Sequence, residues 1–150
     1  MIERIISGGQ TGADRGALDA AIELGIPHGG FCPRHRRAED GRIPERYQLC
    51  EIASRDYAAR TEANVREADA TLLITRGKPA GGSALTAGLA RRHRAPLVHI
   101  DLDRDPHPAA TLAEYLASRD VRTLNVAGPR ESHCPGIGRD TRALVIAALR

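Results

Sequence analysis

Short apolar runs of strand length alternate with helix-spaced segments along the whole chain, and this alternation limits the fold more than any other feature. Glu3 to Ser7 alternates around Ile5 and Ile6 and runs straight into Gly8-Gly9-Gln10-Thr11-Gly12, so a strand ends where a glycine loop begins. Asp14 to Leu24 places Ala17, Leu18, Ala21, Ile22 and, at its edge, Leu24 on one helical face, and Gly25 with Pro27 stops the run. His28 to Cys32 reads as a short second strand. Pro33 to Tyr47 is rich in charge, glycine and proline and has no clean period; long plain loops are uncommon, so it reads as an ordered functional loop. Tyr57 to Ala68 has helical spacing and leads into the apolar strand Ala70 to Thr75. The loop Gly77 to Gly82 is followed by Ser83, expected as the N-cap of a helix carrying Leu85, Ala87, Leu89 and Ala90. Pro96 to Asp101 predicts a strand, Ala109 to Ser118 a helix, Thr123 to Ala127 a strand and Gly138 to Leu149 a closing helix.

Repeated β-α alternation with continuously apolar strands favours a parallel sheet covered by helices on both faces, because right-handed crossovers force the helices outward. Ligands of such sheets bind at the carboxyl ends of the strands. The 150 residues suffice for one ligand-binding domain spanning residues 1–150, long enough to bury about two thirds of its unfolded surface. Hydrophobic residues at 41% and charged residues at 27% exclude wholesale disorder.

Several function classes drop out on composition. The longest apolar runs, such as Ala70 to Thr75 and Pro96 to Ile100, fall far short of the roughly 20 residues of a membrane helix. The amino terminus lacks the basic start, long apolar core and cleavage site of a secretory leader. Cys32, Cys50 and Cys134 form neither an even disulfide set nor paired CxxC clamps, which fits a reducing, cytoplasmic setting and excludes a structural zinc. The formal charge is +3, and Lys78 is the single lysine. Arginine's planar fork suits phosphate, although a compositional bias of the genome produces the same excess. Aromatic residues are only 3% of the chain, too few for the stacking platforms of a nucleic-acid binder.

Three segments fall at the carboxyl ends of predicted strands: Gly8 to Gly12, Gly77 to Ser83, and Gly128-Pro129-Arg130-Glu131-Ser132. In this topology they converge on one cleft. Glycine lets a backbone approach a ligand closely, and exposed amides at a helix amino end favour negative charge, so each loop is an anion cradle. The first loop lacks the GxGxxG order of a dinucleotide fingerprint, and no GxxxxGK[ST] run is present. Arg15, Arg34, Arg60, Arg76 and Arg130 lie near loop ends and suit clamping of phosphate or another oxyanion. Asp14, Glu39, Asp40 and Glu131 are the nearest carboxylates, open to roles in ligand hydrogen bonding or acid-base chemistry. Ser83 and Thr86 offer hydroxyls to phosphate. The Cys32-x2-His35 spacing and the His133-Cys134 pair are read as packing and loop residues rather than metal ligands.

Taken together, Gly8-Gly-Gln-Thr-Gly-Ala-Asp-Arg15, Cys32-Pro33, Ala38-Glu-Asp-Gly41, Arg60-Thr61 with Asn64-Val65, Gly81-Gly82-Ser83 with Leu85-Thr86, and Val126-Ala-Gly-Pro-Arg-Glu-Ser132 resemble the molybdenum cofactor carrier proteins over nearly the whole chain. The resemblance implies an α/β, Rossmann-like three-layer sandwich with a mostly parallel sheet, related to the Lonely Guy phosphoribohydrolases. It also implies a homodimer or homotetramer that binds molybdenum cofactor, a phosphorylated pterin with molybdenum, and protects or carries it, with molybdoenzymes as partners. In the phosphoribohydrolases a catalytic glutamate follows the PGGxGT loop, whereas Ala87 and Gly88 follow Gly81 to Thr86 here, which argues against the same hydrolysis.

The expected binding residues are Gly8, Gly9, Gln10, Thr11, Gly12, Asp14, Arg15 and Arg34, with Gly81, Gly82, Ser83, Thr86, Arg130, Glu131 and Ser132. No catalytic residue and no protein metal ligand is assigned; the cofactor's own dithiolene would hold its metal. Two other readings stay open: a nucleotide or nucleotide-sugar hydrolase using Asp14, Glu39 or Glu131 as base, and a nucleotide-sensing module. The alanine-rich segment Ala84 to Ala90 would permit close packing between subunits.

Overall fold

The computed structural model describes residues 1–150. The chain runs β1 (Arg4–Ile6), α1 (Ala13–Leu24), β2 (His28–Gly29), β3 (Phe31–Cys32), a 3-10 turn (Arg34–Arg36), β4 (Arg37–Ala38), β5 (Gly41–Arg42), β6 (Cys50–Glu51), α2 (Tyr57–Glu67), β7 (Ala70–Thr75), α3 (Gly81–Arg92), β8 (Leu97–Asp101), α4 (Pro108–Ala117), β9 (Thr123–Ala127) and α5 (Ile137–Leu149). Five strands form a parallel sheet in the order β2-β1-β9-β7-β8, in register at Ile5 with Leu124 and at Leu72 with Val126. α1, α5 and α4 pack on one another over one face, and α2 with α3 covers the other. The fold is therefore an α/β three-layer sandwich. The direction of each crossover decides the face: connections moving one way along a parallel sheet place their helix on one side, and those moving back place it on the other.

Counted from β9 as the first strand and continued from residue 150 into residue 1, the order becomes 3-2-1-4-5, that of the doubly wound nucleotide-binding sheet. The reconnection is short, because Met1 and Ile2 line the same apolar groove as Ala148 and Leu149. In that count the strand order reverses between β9 and β7. After β9 the chain leaves for α5 on one face, and after β7 it leaves for α3 on the other, so a crevice opens between the two exits.

The strands are buried for the reason their composition gives: with helices on both faces, every residue of β7 is inaccessible, including Thr71 and Thr75. Ile5, Leu72, Ile74, Leu124 and Val126 join Ala13, Ala17, Ala20 and Ala21 of α1 and Ile137, Leu144 and Val145 of α5 in the main core. Small residues let α1 and α5 meet closely. A Cβ built on Gly16 would stand 2.2 Å from the Gly138 carbonyl oxygen, so the helix pair depends on that glycine.

Three expectations are corrected. Ile22 is 46% exposed rather than on the buried face of α1. The predicted strand His28 to Cys32 is two strands, because Gly30, at φ +122°, turns the chain off the main sheet and onto β6; its missing Cβ leaves room for the Ser7 carbonyl. Asn64 of α2 clamps the displaced strand, accepting from the Phe31 amide at 2.8 Å and donating to its carbonyl at 2.9 Å. Ser83 does not cap α3: Ala80 holds the N-cap position, and Ser83 lies inside the first turn, buried. The aperiodic segment after Cys32 is ordered, as expected, around its own small core of Leu18, Cys32, Ala38, Ile43 and Tyr47. Buried Arg36 ties it together, donating to the carbonyls of Ile43, Pro44 and Tyr47 at 3.1, 2.7 and 2.8 Å.

Gly16→Val must force α1 from α5, and the expected loss is about 1–3 kcal/mol of unfolding free energy. Chemical denaturation against wild type measures it.

Candidate functional site

The crevice at the strand-order reversal is a cleft of about 460 Å3, within the range of small-molecule sites. Its walls come from all three glycine segments: Gln10 from the loop after β1; Lys78, Ala80, Gly81, Gly82 and Ser83 from the β7–α3 connection; and Pro129, Arg130, His133 and Cys134 from the loop after β9. Thr75 and Arg76 complete the lining.

Two of the three loops are locked to each other. Gly12, at φ +85°, sits so close to the third loop that a Cβ would stand 2.4 Å from the Pro129 carbonyl oxygen and 2.7 Å from the Glu131 nitrogen. The Ala13 amide donates to the Pro129 carbonyl at 3.1 Å, and the Glu131 amide to the Thr11 hydroxyl at 3.2 Å. Glu39, from the β4–β5 turn, bridges both loops by accepting from the Thr11 and Ser132 hydroxyls, and lies 4.0 Å from Arg130. These bonds, Ser132 first and Thr11 second, hold its carboxyl below the usual range.

The helix amino ends are not equivalent. At α1, the Asp14 carboxylate accepts from the Gln10 amide at 3.1 Å and pairs with Arg60 at 3.3 Å. Burial pushes the Asp14 pKa up, against the opposing pull of Arg60. At α5, Glu131 accepts from the amides of Gly136 and Gly138 at 2.6 and 3.1 Å. The α5 end is filled by a carboxylate of the chain itself, the interaction that the helix dipole favours, and at α1 the first amide, that of Ala13, is taken by the Pro129 carbonyl. At α3, the amides of Gly81 and Gly82 have no protein acceptor, and the Ser83 hydroxyl also stays free. Of the three anion cradles predicted from glycine, one is open.

The remaining expected residues divide in the same way. Gly8 lies beneath the Arg60 guanidinium, and Gly9, at φ +77°, packs on Leu49 and Ile43. Arg15 donates to the Gly9 carbonyl at 3.0 Å and forks onto Asp40 at 2.6 and 2.7 Å, so it pins the loop instead of lining the cleft. The Thr86 hydroxyl donates to the Gly82 carbonyl at 3.0 Å, within α3. Arg34 is exposed on the turn after β3, away from the cleft. Asp14, Glu39 and Glu131 also lie outside the cleft wall, which contains no carboxylate.

Gln10 stands apart. Its Oε1 accepts from the amides of Thr11 at 3.1 Å and Glu39 at 2.9 Å, which fixes the amide's orientation and leaves Nε2 as the free end. That nitrogen is buried and has no acceptor, although the residue borders the cleft. A buried donor without a partner is costly and rare, which singles this nitrogen out on the cleft border. Sequence reading placed no weight on Lys78, His133 or Cys134 as ligand contacts, although all three border the cleft. Lys78 was visible as the single lysine, set within a glycine loop. Arg76, which also borders the cleft, is neutralised by Asp103 and Asp140 at 3.0 and 2.8 Å.

The model of the circularly permutated YpsA SLOG family matches residues 5–149. The chain belongs to that family. The family's description agrees with the strand order, which becomes the doubly wound one on moving β9 to the front. Among solved structures, one described as a putative molybdenum carrier protein from Syntrophus aciditrophicus SB, determined at 1.45 Å, is 48% identical, with a TM-score of 0.97 over 99% of this chain and 96% of that one. This likeness bears out the Rossmann-like fold and the family resemblance read from the motifs. No curated protein matches the chain. No helix is long and apolar enough to cross a membrane.

Hydrogen bonding to Arg15 holds the Asp40 pKa below its ordinary 3.8. A depressed carboxyl stabilises the fold above its unfolded pKa, and the contribution disappears as pH falls through the folded value. Asp40→Asn is therefore expected to flatten the acid limb of the stability profile below about pH 4; thermal melts from pH 2 to 7 read it directly.

Proposed function

We propose that the cleft binds a phosphorylated small molecule and that this ligand is molybdenum cofactor, which the protein protects and carries. The observation that carries the reading is the meeting of unpartnered donors in one cleft: the free amides of Gly81 and Gly82 at the α3 amino end, and the orphaned Gln10 Nε2. Amides at a helix start hold a phosphate without needing any side-chain charge. Lys78 and Arg130 add cations beside them.

The pterin is rich in ring acceptors, and Gln10 Nε2 offers two N–H donors to them or to an oxo group. Cys134 borders the same space, and burial pushes its thiol pKa up, so it meets the ligand as a neutral group. The 48% identical neighbour described as a putative molybdenum carrier protein favours this ligand over a nucleotide. Carriage rather than hydrolysis is supported by the carboxylates: Asp14, Glu39 and Glu131 each hold a loop or helix end, and none of them lines the cleft. In this reading the protein works in the cytoplasm as a homodimer or homotetramer and hands its cargo to molybdoenzymes.

Calorimetry with purified cofactor is expected to give saturable binding that Gly82→Asp abolishes. Nothing lies within 4 Å of where a Gly82 side chain would begin, so the variant folds and places a carboxylate where the phosphate sits. Equal affinity of variant and wild type would refute the assignment. Gln10→Glu keeps the acceptor that the Thr11 and Glu39 amides require and replaces the free donors with charge. A loss of about tenfold in affinity, roughly 1.4 kcal/mol, is expected in the same measurement.

A further inference from the structure

Tyr57, at the start of α2, has three guanidinium groups against its ring. The Cζ atoms of Arg37, Arg130 and Arg60 lie 4.7, 5.4 and 5.6 Å from the ring centroid. A single cation over an aromatic face is attractive, but three on one ring bring like charges together. The carboxylates nearby have other engagements. Asp14 is buried against Arg60 and the Gln10 amide. Glu39 is bonded to Thr11 and Ser132 and reaches Arg130 only at 4.0 Å. Asp56 caps α2, accepting from the Ala58 amide at 2.9 Å.

The donors are equally short of acceptors. Arg37 finds one, the Arg55 carbonyl at 3.3 Å. The Nε of Arg60 is buried and finds none, although the side chain is 11% exposed as a whole. Planar N–H forks held in place by an aromatic platform match the edges of an oxyanion. Burial of Arg60 fixes its fork before any ligand arrives.

We propose that the Tyr57 platform is a second oxyanion site, seating a tetrahedral anion among Arg37, Arg60 and Arg130. It lies apart from the α3 amino end. Arg130 borders both, because it also lines the cleft. Two sources present this chemistry: a second anionic group on the molecule held in the cleft, or a free tetraoxoanion bound beside it.

The test is a titration of the full-length chain with inorganic phosphate and, in a separate arm, with molybdate, following the Arg60 Nε–Hε resonance by NMR. The expected result is a saturable shift whose affinity falls at least about fivefold in Arg37→Gln and is unchanged in Gly82→Asp. Arg37 is exposed, so its loss leaves the fold intact; Tyr57→Leu, which removes the platform, is expected to weaken binding as well. Saturation by molybdate but not phosphate points to the oxo-metal end of the molecule held in the cleft, whose phosphate sits at the α3 end, and saturation by phosphate to a free tetraoxoanion; either supports the site. No saturable shift in either arm, an affinity indifferent to Arg37→Gln, or a shift lost in Gly82→Asp would overturn it. The last outcome would leave the α3 end as the single anion site, and so separates failure of this proposal from failure of the cofactor assignment.

Discussion

At the carboxyl edge of the sheet, the backbone of Gly12 rests directly on the backbone of Pro129 to Glu131, and the site is built outward from that contact. Residues 120 positions apart are held there by the Thr11 hydroxyl and the Glu131 amide. With no side chain between them, the loops after β1 and β9 behave as one wall, which brings Gln10 to the cleft beside Arg130. Glu39 reinforces the joint from the β4–β5 turn, so that the aperiodic segment after Cys32 braces the site even though its own core lies elsewhere.

That brace also explains why the three glycine loops differ in chemistry. A helix amino end attracts negative charge whatever its source. At α5 the chain supplies the charge itself, through Glu131, at α1 the Pro129 carbonyl takes the first amide, and the loops become rigid. At α3 no carboxylate reaches the first turn, so the same electrostatic preference remains for an external anion. Rigidity on one side and an unmet preference on the other are what a binding cleft requires: fixed walls reduce the ordering cost of association.

Much of the fold was legible because buried parallel strands and covering helices leave distinct periods. β7 and β9 were placed to the residue, and α1, α2 and α5 to within one. Misreadings fell where local pattern competes with tertiary packing. Ile22 follows the helical spacing but is left 46% exposed, and Gly30 breaks a strand because the Ser7 carbonyl occupies the space of a side chain. For the site, glycine signalled close approach correctly, yet at Gly8, Gly9 and Gly12 what approaches is Arg60, a pair of leucine and isoleucine side chains, and the third loop.

The sequence by itself determined the layered α/β architecture, the position of the glycine loops at strand ends and the family to which the chain belongs, since periodicity and motif spacing are local properties carried along one dimension. Only the tertiary structure decided which loop amides are free, which arginines are already paired and that Gln10 keeps an unmet donor. Those outcomes depend on partners distant in sequence, such as Asp40 for Arg15, Arg60 for Asp14 and Glu39 for Ser132, and hydrogen-bond satisfaction is settled by the groups that folding brings within about 3 Å.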